Sequence, residues 1–298
     1  MYYSLISRFR GALVGSYLGE TFDFHEYETC QSAKHYELIS LGIVNLIESN
    51  LFEIEDWVSY QQKIWYDLDS TEGLPLRLVS TFLPTVLFFH DNPIKLRHVL
   101  LSAAAKCDYS SIIQDGILAI TYIISQSLRM KLCVEKIITE TIDFIGQTST
   151  DLPQSLSQIS NLVDSNASLE QAVMKLSNYD PSTQIVAIAF YCFLSTLEDF
   201  QLSILRSSIN SPLNGLSAIV GALSGSQNSV LSIPSKWLSK QLEVKSAIIS
   251  EITDCSKMLE LADILMTIWS GAGNSMLYSR KTNYSLHILT SVGTMHYR

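Results

Sequence analysis

Charge is what this chain has least of. Only 16% of its 298 residues are Asp, Glu, Lys or Arg, against a usual share of about 25%. Hydrophobic residues make up 47%, so the chain can bury a substantial core and does not have the composition of a disordered protein. Basic residues are outnumbered 20 to 29, for a net charge of −9, and form no stripe. That argues against a nucleic-acid surface, because phosphate binding needs clustered Lys and Arg. Gly and Pro number 13 and 7, too few for the many tight turns of an all-β sandwich. The five cysteines, Cys30, Cys107, Cys133, Cys192 and Cys255, are odd in number and lack C-x-x-C pairing. A zinc site or disulfide framework is therefore not expected, and buried free thiols in a reducing compartment are. The longest apolar run, Ile185 to Leu194, is far short of the roughly 20 residues of a membrane helix. The apolar stretch after Arg8 and Arg10 is short and glycine-interrupted, a poor signal peptide. The expectation is a soluble cytoplasmic protein with no membrane and no nucleic-acid partner.

One further absence is local. From Ile204 to Lys236 there is no Asp, Glu or His. Within that span SSINSPLNGLSAIVGALSGS runs from a polar loop into a Gly- and Ala-rich helix. The outline is that of a site, yet nothing in it binds a metal through a carboxylate or moves a proton.

What is present is helical periodicity. It predicts helices over Leu5–Gly19, Glu37–Ile47, Ile54–Tyr66, Pro93–Cys107, Ser111–Arg129, Lys131–Ile145, Leu169–Leu176, Ser182–Leu197, Phe200–Ser208, Pro212–Ser226 and Lys257–Trp269. Asn92-Pro93, Asp180-Pro181 and Ser211-Pro212 each put a capping side chain before a proline at the first helical position. Ser168 and Gln171 have the spacing of a capping box. Pro84 is expected to kink or split the apolar segment Leu76–Phe89. Asp151–Ser165 is polar but keeps Leu152, Leu156, Ile159 and Val163 at helical spacing. Gly271-Ala272-Gly273-Asn274 is a helix stop, and Tyr284–Val292 is the best strand candidate. The architecture expected is one all-α domain over 1–272, a single large orthogonal helical bundle, with a short irregular or β-like tail over 273–298.

Two glycine ladders stand out. Gly11, Gly15 and Gly19 recur every four residues in RFRGALVGSYLGE, and Gly221 and Gly225 do so in IVGALSG. Residues four apart share a helix face, so each ladder opens a groove for another backbone. A helical Gly costs about 0.8–1.0 kcal/mol relative to Ala, so several in register call for a reason. Two helices crossing tightly at the centre of a bundle would supply one; a ligand approaching the glycine face would supply another.

RFRGALVGSYLGE resembles the first helix of the ADP-ribosylglycohydrolase (DraG-like) family, R-x-x-G-x-x-x-G-x-x-x-G-D, and NGLSAIVGALSGS followed by SIPSKW is similar to its last motif. LPLRLVSTFLPTVLFFHDNPIKLRHVLLSAAAKCDYSSIIQDGILAITYII and TQIVAIAFYCFLSTLEDFQLSILRSSIN look like its central helices. The likeness runs in consistent order over roughly Ser7 to Trp269. It implies the family's bundle and, for an active member, a magnesium pair holding the ribose of ADP-ribose and a water.

The resemblance also locates what has changed. The family's Thr-Asp-Asp-Thr falls on about Ala33, Lys34, His35 and Tyr36, which puts a lysine where a metal sits. Its Asp-x-Asp-Thr falls on about Pro212, Leu213, Asn214 and Gly215, with a one-residue uncertainty of register and no carboxylate. A hard cation needs several carboxylate or hydroxyl oxygens, so neither a metal site nor a cofactor is expected, and magnesium only if the protein is an enzyme. The acid after the first ladder is kept in kind as Glu20. Asp23 and Glu26, with His25 and Glu28, could rebuild a site or form a solvated acidic loop. Cys107-Asp108 occupies a place where the family often carries His or Asn near the substrate; a Cys nucleophile there would need a lowered pKa. Cys30 with His35 lacks further ligands, and Asp67, Asp69 and Glu72 lack the glycine and terminal Glu of a calcium loop. Ser211, beginning a helix with Asn214 and Gly215 nearby, could receive an anion on backbone N–H groups.

These readings make the protein a catalytically inactive member of that fold, acting as a protein-interaction or regulatory module with a protein partner. The alternatives are a binder of ADP-ribose or a related nucleotide through Lys34, His35, Cys107, Asp108, Ser211, Asn214 and Gly215, or a residual hydrolase using Glu20, Asp23 and Glu26. The tail, with Arg280, Lys281, Tyr284, His287 and Arg298, is the candidate interaction surface.

Overall fold

A computed structural model describes residues 3–23, 39–40, 42–43, 46, 82–208, 215–238 and 255–272. Among them there is no strand, and the fold is an all-α bundle of the expected class. The helices are α1 (Leu5–Asp23), α2 (Leu83–Phe89), α3 (Pro93–Lys106), α4 (Ser111–Leu128), α5 (Val134–Ile145), α6 (Leu152–Asp164), α7 (Leu169–Leu176), α8 (Pro181–Leu194), α9 (Phe200–Ser208), α10 (Leu216–Asn228) and α11 (Cys255–Trp269), with a 3-10 turn at Val230–Ser232. The strand candidate and the tail lie outside the described residues.

Three helices carry long stretches of mostly apolar and small residues on every face, and these stretches lie inside. Gly11–Glu20 of α1, Ile185–Leu194 of α8 and Leu216–Ser226 of α10 are buried without interruption. Phe9, Leu13 and Tyr17 of α1 join Phe190 and Phe193 of α8 and Ile219 and Leu223 of α10 in one core, each contributing about 2 kcal/mol through the surface it removes from water. α10 packs along α1 and between α4, α8 and α9, while α11 covers another side of α1. Ile39, Ile43 and Leu46, helical and buried, join the same core.

The start signals work as the sequence suggests. Asn92 accepts from the Lys95 N–H at 3.0 Å and Asp180 from the Ser182 N–H at 2.8 Å. Ser168 and Gln171 close a reciprocal capping box. Pro84 sits in the first turn of α2, so it opens that helix rather than kinking it. Residues 151–165 do form a helix. Four expected boundaries are off by three or four residues. α1 runs on to Asp23 and not to Gly19, and α5 begins at Val134 and not at Lys131. α8 ends at Leu194 and not at Leu197, where the Ser195 and Thr196 hydroxyls turn back onto the Tyr191 and Cys192 carbonyls. α10 begins at Leu216 and not at Pro212, because Gly215 takes the left-handed conformation, φ +80°, and breaks any helix running through it. Ser211-Pro212 therefore does not open the glycine-ladder helix.

Candidate functional site

The ladders face each other. A Cβ built on Gly11 would overlap the Gly225 carbonyl, one on Gly15 the Gly221 carbonyl, and one on Gly19 the Ser217 carbonyl; Gly221 and Gly225 meet Gly15 and Gly11 in return. α1 and α10 thus run antiparallel with their backbones in contact, which absent side chains alone allow. The glycine faces are filled by protein, and the ligand alternative for them is excluded.

This register fixes the two ends of the pair. At one end Arg8 is 5% exposed, and its Nη1 donates to the Ser127 carbonyl at 2.9 Å, the Gln227 carbonyl at 2.9 Å and the Ser226 carbonyl at 3.2 Å. A guanidinium there answers the last carbonyls of α4 and α10 together, and a cation complements the negative ends of both helices. Burial holds its pKa below the usual arginine value. α4 and α10 therefore bring their last turns together, and the first turn of α10 lies at the opposite end, alongside the last turns of α1.

At that opposite end stand several of the sequence candidates that the structure describes. Glu20, one residue past the contact between Gly19 and Ser217, is 1% exposed. Near the carboxyl end of its own helix a carboxylate is disfavoured, but the amino end of α10 beside it has the opposite sign. The Ser207 hydroxyl at the end of α9 donates to the Ser217 hydroxyl at 2.9 Å. Gly215 is the residue before α10 and offers only its backbone. Asp23 ends α1. Glu26, Lys34, His35, Ser211 and Asn214 lie outside the described residues.

Cys107 and Asp108 turn the chain from α3 into α4. Their geometry is that of a helix stop. The Tyr109 N–H bonds the Ala104 carbonyl at 3.1 Å and the Asp108 N–H the Ala105 carbonyl at 3.2 Å, the two bonds of a Schellman motif. Asp108 takes the left-handed position, φ +54°, and its side chain is exposed. Burial pushes the Cys107 thiol up to about 11, against a smaller downward pull from Tyr109. It is a thiol at neutral pH, which removes the condition set for a nucleophile.

Two polar features escaped the sequence reading. Asp115 is buried in α4 and accepts from Thr148 at 2.6 Å and Thr150 at 2.5 Å, clasping the loop after α5. A lone carboxylate inside SIIQDGILAITYII was the available signal. Thr196, just past α8, Ser203 of α9, and Ser224 and Asn228 of α10 form a hydrogen-bonded chain. Among the described residues no three His, Cys, Asp or Glu are grouped to hold a metal ion, and no helix is long and apolar enough to cross a membrane.

Comparison with known proteins agrees with this architecture. The family model described as ADP-ribosylglycohydrolase matches residues 41–274. Among solved structures, a chain of an "ADP-ribosylglycohydrolase-related protein complex" is similar with a TM-score of 0.62 at 15% identity, over 89% of this chain and 99% of that one. At that identity the likeness is one of fold. No curated protein matches the sequence at the same stringency.

Proposed function

The chain belongs to the ADP-ribosylglycohydrolase family, and from that premise we propose that it is a catalytically inactive member serving as a protein-interaction or regulatory module. One observation carries the reading. Where α1 meets α10, the residues that packing demands are present, and the residues that metal chemistry demands are replaced. Gly11, Gly15, Gly19, Gly221 and Gly225 leave room for one another's backbone. At the corresponding motif positions Lys34 brings a positive charge and Asn214 and Gly215 bring no carboxylate.

A magnesium pair would position a ribose and activate a water, and these residues do not fit it. Gly215 has no side-chain oxygen, and the nearest described hydroxyls, Ser207 and Ser217, bond each other. Cys107 is protonated and Asp108 serves a helix stop. What remains is Glu20, buried beside the first turn of α10. Its retention favours, as a second reading, a site that still binds ADP-ribose or a related nucleotide, or that hydrolyses slowly with Glu20, Asp23 and Glu26. The protein partner of the leading reading is expected to use the tail around Arg280, Lys281 and Tyr284.

Thermal unfolding with and without millimolar ADP-ribose, each with and without magnesium, separates the readings. Ligand at 100 times its dissociation constant adds about 2.7 kcal/mol, a rise of several degrees for a chain of this size. No rise in any condition is the expected result. A rise with ADP-ribose alone would establish the binder. A magnesium-dependent rise, with ADP-ribose released from a modified protein, would overturn inactivity.

A further inference from the structure

We propose that His90 makes the docking of α11 sensitive to acid, acting as a latch between that helix and the centre of the bundle. His90 follows α2 and is 3% exposed. Its ring meets Phe9 of α1 edge-on at 5.5 Å and lies tilted against Trp269, the last residue of α11, at 5.0 Å. Its Nδ1 is 2.8 Å from the Leu87 carbonyl. A carbonyl only accepts, so Nδ1 carries the hydrogen of the neutral ring and a second proton must go to Nε2. That proton would charge a side chain enclosed by two aromatic rings.

Among the described residues the charges around it are few. Asp91, next in the chain, favours the protonated ring and Arg129, just past α4, opposes it. Lys95 of α3 lies over the Phe89 ring at 4.8 Å. On α1, Arg10 is engaged by Asp263 of α11 at 2.8 Å, and Arg8 is turned to α4 and α10. The final turn of α11, Met266–Trp269, has no ionisable residue. Burial outweighs the Leu87 carbonyl and Asp91, and holds the imidazole below its ordinary value.

A depressed value means that the docked state prefers the neutral ring and the opened state the charged one. The contribution of His90 is complete above about pH 6.5 and is lost as the pH falls from there through the lowered value. One linked proton changes the opening constant by at most about tenfold per pH unit. Because α11 also buries Met258, Leu261 and Leu265, it stays docked in most molecules. Acid changes how often it opens and bares those side chains.

Hydrogen exchange on the full chain between pH 7.5 and 5.0, corrected for intrinsic rates, tests this. The opening constant of the α11 amides is expected to rise below pH 6.5, by up to about tenfold per unit, while that of α4 stays level. His90→Gln should abolish the rise. An equal rise in α4 and α11, or none, overturns the proposal. Should the variant fail to fold, the imidazole titration of the wild-type protein decides by nuclear magnetic resonance. A midpoint below the free-histidine value supports the latch; one at or above it, as cation–π stabilisation by Trp269 would give, overturns it.

Discussion

The two ends of the α1/α10 pair handle buried polar groups differently. At the Arg8 end a single side chain is spent on backbone, bonded to carbonyls of two helices. At the Glu20 end, polar atoms come from side chains, Glu20, Ser207 and Ser217, gathered where two helices end and one begins. The first arrangement is a fastening; the second is the end that the proposal reads as a site without its metal ligands. The contrast teaches that fold and chemistry are set by different residues. Glycine contacts and a carbonyl-binding arginine are fixed by the packing of the helices, whereas a carboxylate in a loop does not set how the helices behind it pack.

Substitution in the ladder should have the largest effect. In Gly221→Ala the new methyl group would overlap the Gly15 carbonyl, and backbone cannot swing aside as a side chain can. We expect a loss of about 3–4 kcal/mol in urea unfolding, despite the gain of about 1 kcal/mol in helix propensity. A loss under about 1 kcal/mol would mean that the helices do not meet in this register. At Gly271, where nothing lies within 4 Å, alanine should cost only the left-handed conformation, about 1–2 kcal/mol.

Arg8→Leu comes next, at about 2–3 kcal/mol, because it takes the arginine donor from the terminal carbonyls of two helices, although the Ser127 carbonyl keeps the Met130 N–H. Arg8→Lys should recover part of this, since one ammonium keeps the charge but not the reach of the planar fork. Full recovery by Lys would show that charge against the two helix ends, and not the hydrogen-bond geometry, fastens this end.

Much of this was legible in the sequence because its cause is local. Asn92, Ser168 and Asp180 cap helices through atoms two or three residues away, and glycine every fourth residue announces a close approach. What the ladder approaches is another matter. That Gly15 meets Gly221 depends on packing across the chain, and no local signal states it. The same holds for Arg8, which reaches carbonyls at 127, 226 and 227, and for His90 between Phe9 and Trp269. The start of α10 was misjudged for a local reason. Ser211-Pro212 is a good start signal, but Gly215 overrules it by taking a positive φ. Asp108 looked functional from its place in the family pattern, and the structure gives it a conformational task that residue type alone does not reveal.

At the Glu20 end the expected effects are smaller. Ser217→Ala removes one acceptor of the Ser207 hydroxyl, which keeps the Ile204 carbonyl, and should cost about 1 kcal/mol at most, well below the ladder substitution four residues away at Gly221. A cost near 3 kcal/mol would mean that this end is as much a fastening as the other. The reading of it as a vacated site would then lose its physical basis.

The smallest effect, and the only gain, is expected beside Arg8. α4 ends in a Schellman motif, with the Lys131 N–H on the Gln126 carbonyl at 2.9 Å and the Met130 N–H on the Ser127 carbonyl at 3.0 Å. The left-handed residue is Met130, φ +56°, whose side chain is 57% exposed. A non-glycine residue there costs about 1–2 kcal/mol, while glycine adds conformational entropy to the unfolded chain. Met130→Gly should therefore stabilise by about 0.5–1 kcal/mol, a rise in Tm of roughly 2 °C. The Ser127 carbonyl also accepts from Arg8, so the two devices share one atom. If that end is held by backbone bonds alone, the gain should persist in Arg8→Lys, and the two changes should add within about 0.5 kcal/mol. If the gain vanishes without Arg8, the arginine is what holds the last turn of α4 in shape, and the fastening is a single unit.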